Sequence, residues 1–231
     1  MMALDGIVQS SQKDEFAYQE MISHLALCSH KNPKNVVCIG GGDGGVIREV
    51  CKHDSVEKIT LCEIDKLVCE SSKKYLPHMS SSFDDKRVEF YYDDGCEFIR
   101  QRKKEFDIII VDSSDPLGPA EVLFQKEFYK TCAEGLKEGG ILITQAESIW
   151  LDLKLISNMK NFIKEIFEHV EYSNITIPTY PSGTIGFFVC NNSKSSKIPV
   201  RKIDEEKCSY YNEEIHQASF VLPKFVEKSF E

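Results

Sequence analysis

The stretch VVCIGGGDGGVIREV, residues 36–50, constrains the fold most. An apolar run of β-formers passes directly into Gly40, Gly41, Gly42, Asp43, Gly44 and Gly45 and then into helical patterning. Strand, glycine turn and helix in that order open a parallel α/β unit. The alternation continues downstream, with strands expected at Asn35–Ile39, Lys58–Cys62, Val88–Tyr92, Asp107–Val111 and Ile141–Thr144. Helices are expected at Gly45–His53, Lys66–Tyr75, Cys96–Arg102 and Lys126–Leu136. Near-continuous Val, Ile, Leu and Cys in four of the strands implies a sheet covered by helices on both faces.

After a helix stop at LKEGG (136–140), Leu151, Leu155, Met159, Phe162 and Ile166 recur at helical spacing and predict one amphipathic helix. The runs VEYSNITI and TIGFFVC, joined by the turn-rich PTYPSG, predict a hairpin-like antiparallel edge. The expected fold is therefore α/β, doubly wound and mostly parallel. Residues 1–14 stand outside it, reading as a strand and turn that enter a helix at Glu15–Leu27. A lone strand is not stable by itself, so it is expected to pair with another chain or with an N-terminal sheet outside this sequence.

Gly40, Gly42 and Gly45 satisfy the G-x-G-x-x-G spacing of dinucleotide sites, which alone is a weak signal. Asp43 sharpens it by placing a carboxylate where a pyrophosphate would meet the helix N-terminus. A nucleoside without phosphates, and better a cationic one, suits the loop more than a dinucleotide does. Glu63 ends the second strand, where an acid commonly accepts bonds from ribose hydroxyls. Asp93, Asp94 and Gly95 end the third, and Asp112 and Asp115 the fourth. Any one of these acids could be only a helix cap or turn former. Together on one sheet edge they point to a shared ligand, with Asp112 and Asp115 beside its reactive end. An alkylamine, with a pKa of about 10.4, is protonated at neutral pH and needs a carboxylate to take its proton before it can attack.

The formal charge of −9 argues against a nucleic-acid backbone as partner. The nine cysteines include no C-x-x-C pair and the six histidines no H-x-x-x-H pair, so no metal and no disulfide framework are expected. No apolar run reaches the roughly 20 residues of a membrane span, and the N-terminus lacks the pattern of a secretory signal. A cytoplasmic protein with no membrane partner is the expectation.

The stretches LDGIVQ, DEFAYQEM, IGGGDGGVIREV, CEID, DDGCEF, VDSSDPLGPAE, FYKTC, QAES, IPTYPSGTIGF and KCSYYNEEIHQASFVLP, in this order, resemble the polyamine aminopropyltransferase family, its spermidine synthases in particular. The resemblance covers nearly the whole chain. It implies a Rossmann-like, methyltransferase-type sheet of seven strands over residues 15–231, with residues 1–14 a hairpin remnant of the family's N-terminal β-domain. It also implies transfer of an aminopropyl group from decarboxylated S-adenosylmethionine to putrescine, giving spermidine and 5'-methylthioadenosine.

By the same resemblance Gln9, Gln19, Gly40, Gly42, Asp43, Glu63, Asp94 and Gly95 would bind the nucleoside co-substrate. Tyr18, Asp115, Glu147 and Tyr180 would line the putrescine site, and Asp112 would be the catalytic base. From the residues alone, Tyr18 reads as packing on an amphipathic helix, Tyr180 as a turn aromatic, and Ser113 and Ser114 as turn formers outside the site. No cofactor beyond the co-substrate and no metal are implied, and the expected partner is a second copy of the chain in a homodimer. The alternatives are spermine formation or action on another polyamine, a putrescine N-methyltransferase (disfavoured by Asp43), and a shortened, catalytically silent subunit.

Overall fold

The computed structural model describes residues 1–4, 6–115 and 118–231. Strands β1 (Met2–Leu4) and β2 (Ile7–Ser10) pair antiparallel as a two-stranded sheet. The segment read from its residues as one strand and a turn thus holds two paired strands, and the partner expected in another chain or a further sheet is supplied by β1 of this chain.

Helix α1 (Glu15–Ser29) follows, and then β3 (Asn35–Gly40), α2 (Gly45–Cys51), β4 (Lys58–Cys62), α3 (Lys66–Tyr75), β5 (Val88–Tyr91), α4 (Gly95–Arg100) and β6 (Phe106–Asp112). After a 3-10 segment at Gly118–Phe124 come α5 (Lys126–Gly135), β7 (Leu136–Gln145), α6 (Leu153–Ile163), β8 (His169–Thr176), β9 (Thr184–Asn191), α7 (Glu213–Ala218) and α8 (Lys224–Ser229).

The seven-stranded sheet has the order β5-β4-β3-β6-β7-β9-β8. Strands β3 to β7 pair in parallel, and β9 runs against both β7 and the outermost β8, which makes the antiparallel edge. The pleat sorts successive residues to opposite faces. Val36, Cys38, Ile108, Ile110 and Phe187 pack under α1 and α2, whereas Val37, Ile39, Ile109, Val111 and Phe188 pack against α4, α5 and α6. Both faces are buried, as the unbroken apolar strands require.

Three local expectations are corrected. LKEGG is not a helix end ahead of the next strand but the first half of that strand. Helix α5 ends at Gly135, and β7 already begins at Leu136, which pairs with Phe106 through an irregular register. Leu151 does not belong to the apolar face of α6; it precedes the helix and is 61% exposed, while Ile156, Met159 and Ile163 are the buried positions. Finally, α1 is not amphipathic, since every residue from Ala17 to Ser29 is buried.

Burying α1 all round obliges its polar side chains to find partners. Glu15 takes a two-pronged bond from Arg48, at 2.9 Å on each prong. Glu20 accepts the backbone N–H groups of Ser209, Tyr210 and Tyr211, each at 2.8 Å, and so docks the C-terminal segment. His24 lies 3.0 Å from His53 and 3.1 Å from Glu49. Gln19 reaches Asp43 in the glycine loop.

Candidate active site

The register Gly40↔Asp112 sets the glycine loop beside the end of β6. Gly40 has φ +75°, and a Cβ there would lie 2.1 Å from the carbonyl oxygen of Asp112, so only glycine allows the loop this close. The Asp43 carboxylate accepts the N–H of Gly45 at 2.9 Å through Oδ1 and Gln19 Nε2 at 3.1 Å through Oδ2. Glu63 accepts Gly42 N–H at 3.2 Å and Asp65 N–H at 3.1 Å, which holds the end of β4 against the loop. Asp94 caps α4 by accepting Glu97 N–H at 3.0 Å, while Gly95 packs on Ile39. Capping therefore does describe Asp94, but like the other acids it also lines a shared cavity.

That cavity, of about 680 Å³, lies over the C-terminal ends of the strands, within the ~300–1,000 Å³ usual for small-molecule sites. Gln9, Tyr18, Gln19, Gly40, Gly42, Asp43, Glu63, Asp94, Gly95, Asp112, Asp115, Glu147 and Tyr180 all line it. Every site residue expected from the sequence is thus brought to one place. Pro116 and Leu117, in the loop after the two aspartates, lie outside the described residues.

Beside the glycine loop, at the end of β6, Tyr18 donates its hydroxyl to Asp112 Oδ1 at 2.7 Å. Its ring meets Tyr180 edge-on at 5.9 Å and Phe187 at 5.3 Å. Tyr18 is therefore buried and engaged, neither of which the packing reading of the helix required. Tyr180 donates to the carbonyl of Gln9 at 2.8 Å, tying the N-terminal hairpin to the cavity wall. Among the described residues the side chain of Gln9 makes only a local contact with the Ile7 carbonyl, at 3.4 Å. The loop bearing Tyr180 is fixed to the start of α1 by Asp14, which accepts the N–H and hydroxyl of Thr179 at 2.8 and 2.7 Å.

The electrostatics of the cavity are one-sided. Asp43, Glu63, Asp65, Asp93, Asp94, Asp112, Asp115, Glu147 and Asp152 line it, and no Lys, Arg or His stands among the described lining residues. Burial, and then the neighbouring charge of Asp43, pushes Asp112 well above the usual carboxylate range, against the opposing effect of the Tyr18 hydroxyl. Asp43 is likewise raised, chiefly by burial, against the bonds from Gly45 and Gln19 that favour its charge. Burial carries Glu147 up to about 7, with Asp115 and Asp152 adding to it and the Gln145 bond opposing it. Such carboxylates are costly to ionise until a cation arrives.

Ser113 and Ser114, set aside as turn formers, stand in the cavity wall, and the buried Ser113 hydroxyl has no partner among the described residues. Gln145 and Asp152 also line the cavity and were not anticipated. Gln145 is the last residue of β7, and its place at the C-terminal end of a strand in this sheet was the signal that could have found it. Asp152 precedes α6 where a helix cap is expected, yet its side chain makes no cap bond. No group of His, Cys, Asp and Glu able to hold a metal occurs among the described residues. All nine cysteines are free thiols, and no helix of the described residues is long and apolar enough to cross a membrane.

Comparison with known proteins adds the following. Residues 15–200 match the spermine/spermidine synthase domain. A spermidine synthase of Dictyostelium discoideum is 52% identical over 99% of this chain and 81% of that protein. A spermidine synthase of Schizosaccharomyces pombe is 51% identical over 97% of this chain and 78% of its own. Among solved structures, a spermidine synthase in complex with the transition-state analogue AdoDATO superimposes with a TM-score of 0.92, at 43% identity, over 99% of this chain and 80% of that one.

Proposed function

The chain belongs to the spermine/spermidine synthase family, and from that premise we propose that it transfers the aminopropyl group of decarboxylated S-adenosylmethionine to putrescine, giving spermidine and 5'-methylthioadenosine. The observation that carries this reading is the cavity itself, lined by nine acidic residues and no base among the described residues. Both co-substrates are cationic: the donor carries a sulfonium and an ammonium, and the acceptor two ammonium groups. A site that is expensive to ionise when empty gains most from ligands of this kind.

In this reading the glycine loop (Gly40, Gly42), Gln9, Gln19, Glu63, Asp94 and Gly95 hold the nucleoside. Glu63 takes the ribose hydroxyls and Asp94 the adenine amino group, while Asp43, steadied by Gln19 and Gly45, receives the aminopropyl ammonium. Tyr18, Asp115, Glu147 and Tyr180 receive putrescine. Asp115 pairs with the distal ammonium, leaving the proximal one at Asp112.

Asp112 accepts a proton from that proximal nitrogen, and its raised proton affinity suits it to the task. The freed lone pair attacks the methylene carbon next to the sulfonium. A C–N bond forms as the C–S bond breaks, and the sulfur keeps the electron pair as neutral methylthioadenosine. The leaving group needs no activation, so catalysis consists of positioning, deprotonation and charge burial.

The reading further holds that no cofactor beyond the co-substrate takes part and that neither nucleic acid nor a membrane is a partner. It also makes the protein cytoplasmic and a homodimer, which mass measurement in solution tests. The functional test supplies purified protein with decarboxylated or ordinary S-adenosylmethionine and a panel of putrescine, cadaverine and spermidine. Methylthioadenosine should form fastest from the decarboxylated donor with putrescine. Its absence with every amine overturns the assignment, and a preference for spermidine replaces it with spermine formation.

A further inference from the structure

We propose that Tyr172 is a positioning residue for the amine acceptor: its hydroxyl, reaching past Gly186, fixes the backbone of Glu147 in a left-handed conformation and so aims the Glu147 carboxylate. The inference rests on the reading of Glu147 as an amine contact. It concerns a residue that does not line the cavity.

The feature that calls for an explanation is the backbone of Glu147, at φ +60°. A side chain with a Cβ rarely adopts this conformation, and where it does the surroundings must hold it there. Strand β7 pairs regularly with β9 as far as Gln145↔Phe187. Beyond that rung Gly186 serves two residues at once, accepting the N–H of Ala146 at 2.9 Å and donating its own to the carbonyl of Glu147 at 2.9 Å. Two successive residues opposite one partner is the arrangement of a β-bulge, a device that turns a side chain out of its regular alternation.

The carbonyl of Glu147 receives a second donor, the hydroxyl of Tyr172, at 2.7 Å. Tyr172 stands on β8 opposite Phe188 and leans across the strand to Gly186. A Cβ on Gly186 would lie 1.9 Å from that hydroxyl, so the missing side chain is what lets the tyrosine through. The ring of Tyr172 packs on Phe188 at 5.4 Å and Phe230 at 6.0 Å and is almost wholly buried. Burial, with the charges of Glu147 and Asp152, pushes its proton affinity up, so the hydroxyl remains a donor throughout the working pH range.

The carboxylate at the other end of Glu147 accepts Gln145 Nε2 at 3.0 Å. The next residue, Ser148, bonds Ser182 at 2.7 Å and Thr184 at 3.1 Å, which joins this segment to the loop carrying Tyr180. Glu147 is thus held at its carbonyl, its carboxylate and its neighbour. The carbonyl bond from Tyr172 can be deleted by removing a single oxygen atom while keeping the ring.

The test is a cycle of Tyr172→Phe, Glu147→Gln and the double variant. It measures KM and kcat with putrescine, the Kd of methylthioadenosine, and thermal unfolding. Y172F should raise KM for putrescine about tenfold, as for loss of one buried bond, with kcat and the methylthioadenosine Kd each within about twofold of wild type. If Tyr172 acts through Glu147, the double variant should be no more than about twofold worse than E147Q. An unchanged KM in Y172F, a loss that multiplies in the double variant, or a parallel loss of methylthioadenosine binding or of the cooperative thermal transition overturns the proposal. If E147Q itself leaves KM unchanged, the amine-contact reading of Glu147 falls first and this inference with it, an outcome separable from failure of Y172F alone.

Discussion

Replacing Asp112 by Asn should make the empty protein more stable while removing most of its turnover. Burial and the nearby charge of Asp43 raise Asp112 to about 7 from an ordinary 3.8. A carboxyl whose folded pKa lies above its unfolded value contributes stability that is fully present below the unfolded pKa. That contribution is lost as pH rises through the folded pKa, here between about pH 4 and pH 7. At ~1.36 kcal/mol for each pKa unit, the ionised group costs the empty fold up to about 4 kcal/mol at pH 8. Part of that is repulsion shared with Asp43, so about 2 kcal/mol is the gain expected from Asn, whose side-chain oxygen can still accept the Tyr18 hydroxyl. For a chain of this length that is roughly 4–8 °C in Tm, shrinking towards zero near pH 4.

Turnover, deprived of the base, should fall by about 10²–10⁴. Calorimetric unfolding of both proteins across pH 4–8, with methylthioadenosine release assayed on the same samples, reads both effects. A variant less stable than wild type at pH 8, or more stable by the same amount at every pH, refutes the electrostatic account. A variant keeping more than a third of the wild-type rate refutes the role as base.

Three other perturbations follow from the same geometry. Asp43→Asn should narrow the preference for the decarboxylated donor by about tenfold or more, because the carboxylate of ordinary S-adenosylmethionine would no longer meet a like charge; calorimetric titration with both nucleosides checks it. Since Glu147 titrates near 7 and Asp43 and Asp112 are also raised, kcat/KM for putrescine should fall as pH drops from 8 to 6. A flat pH profile at constant ionic strength would contradict this. Glu20→Ala strands one buried and two part-buried amides and should cost about 2–4 kcal/mol, seen as a lower Tm and early proteolysis within residues 201–231. Unchanged protease resistance there would show that the segment is held by something else.

The sheet could be read from the sequence because β3, β4 and β6 are buried on both faces, which leaves an unbroken apolar run that little else produces. The acids at the strand ends were legible for a related reason: strand order fixes which ends meet, and Asp112 closes its strand while Glu63, Asp43 and Asp94 follow theirs within three residues. Assigning the residue-by-residue roles took the family resemblance.

What could not be read depends on contacts distant in sequence. The burial of α1 requires Arg48, Asp43 and the 209–211 backbone to be waiting for Glu15, Gln19 and Glu20, and none of these pairings leaves a periodic trace. Leu151 fitted the spacing of a helix that begins two residues later. Ser113 and Gln145 are ordinary in a turn and a strand and become site residues only through the cavity they face.

The buried polar pairs of α1 also bear on how such a chain can vary. A substitution at Glu15, Gln19, Glu20 or His24 takes a bond from Arg48, Asp43, the 209–211 backbone or Glu49 respectively. Drift along this helix should therefore proceed in couplets: a replacement at position 15 answered at 48, or one at 24 answered at 49. Position 20 has no side chain to answer it, because its counterpart is main chain, and it should be the hardest of the four to exchange. A library randomising α1 alone should return wild-type residues at these sites far more often than one in which the partner positions are free to move with them.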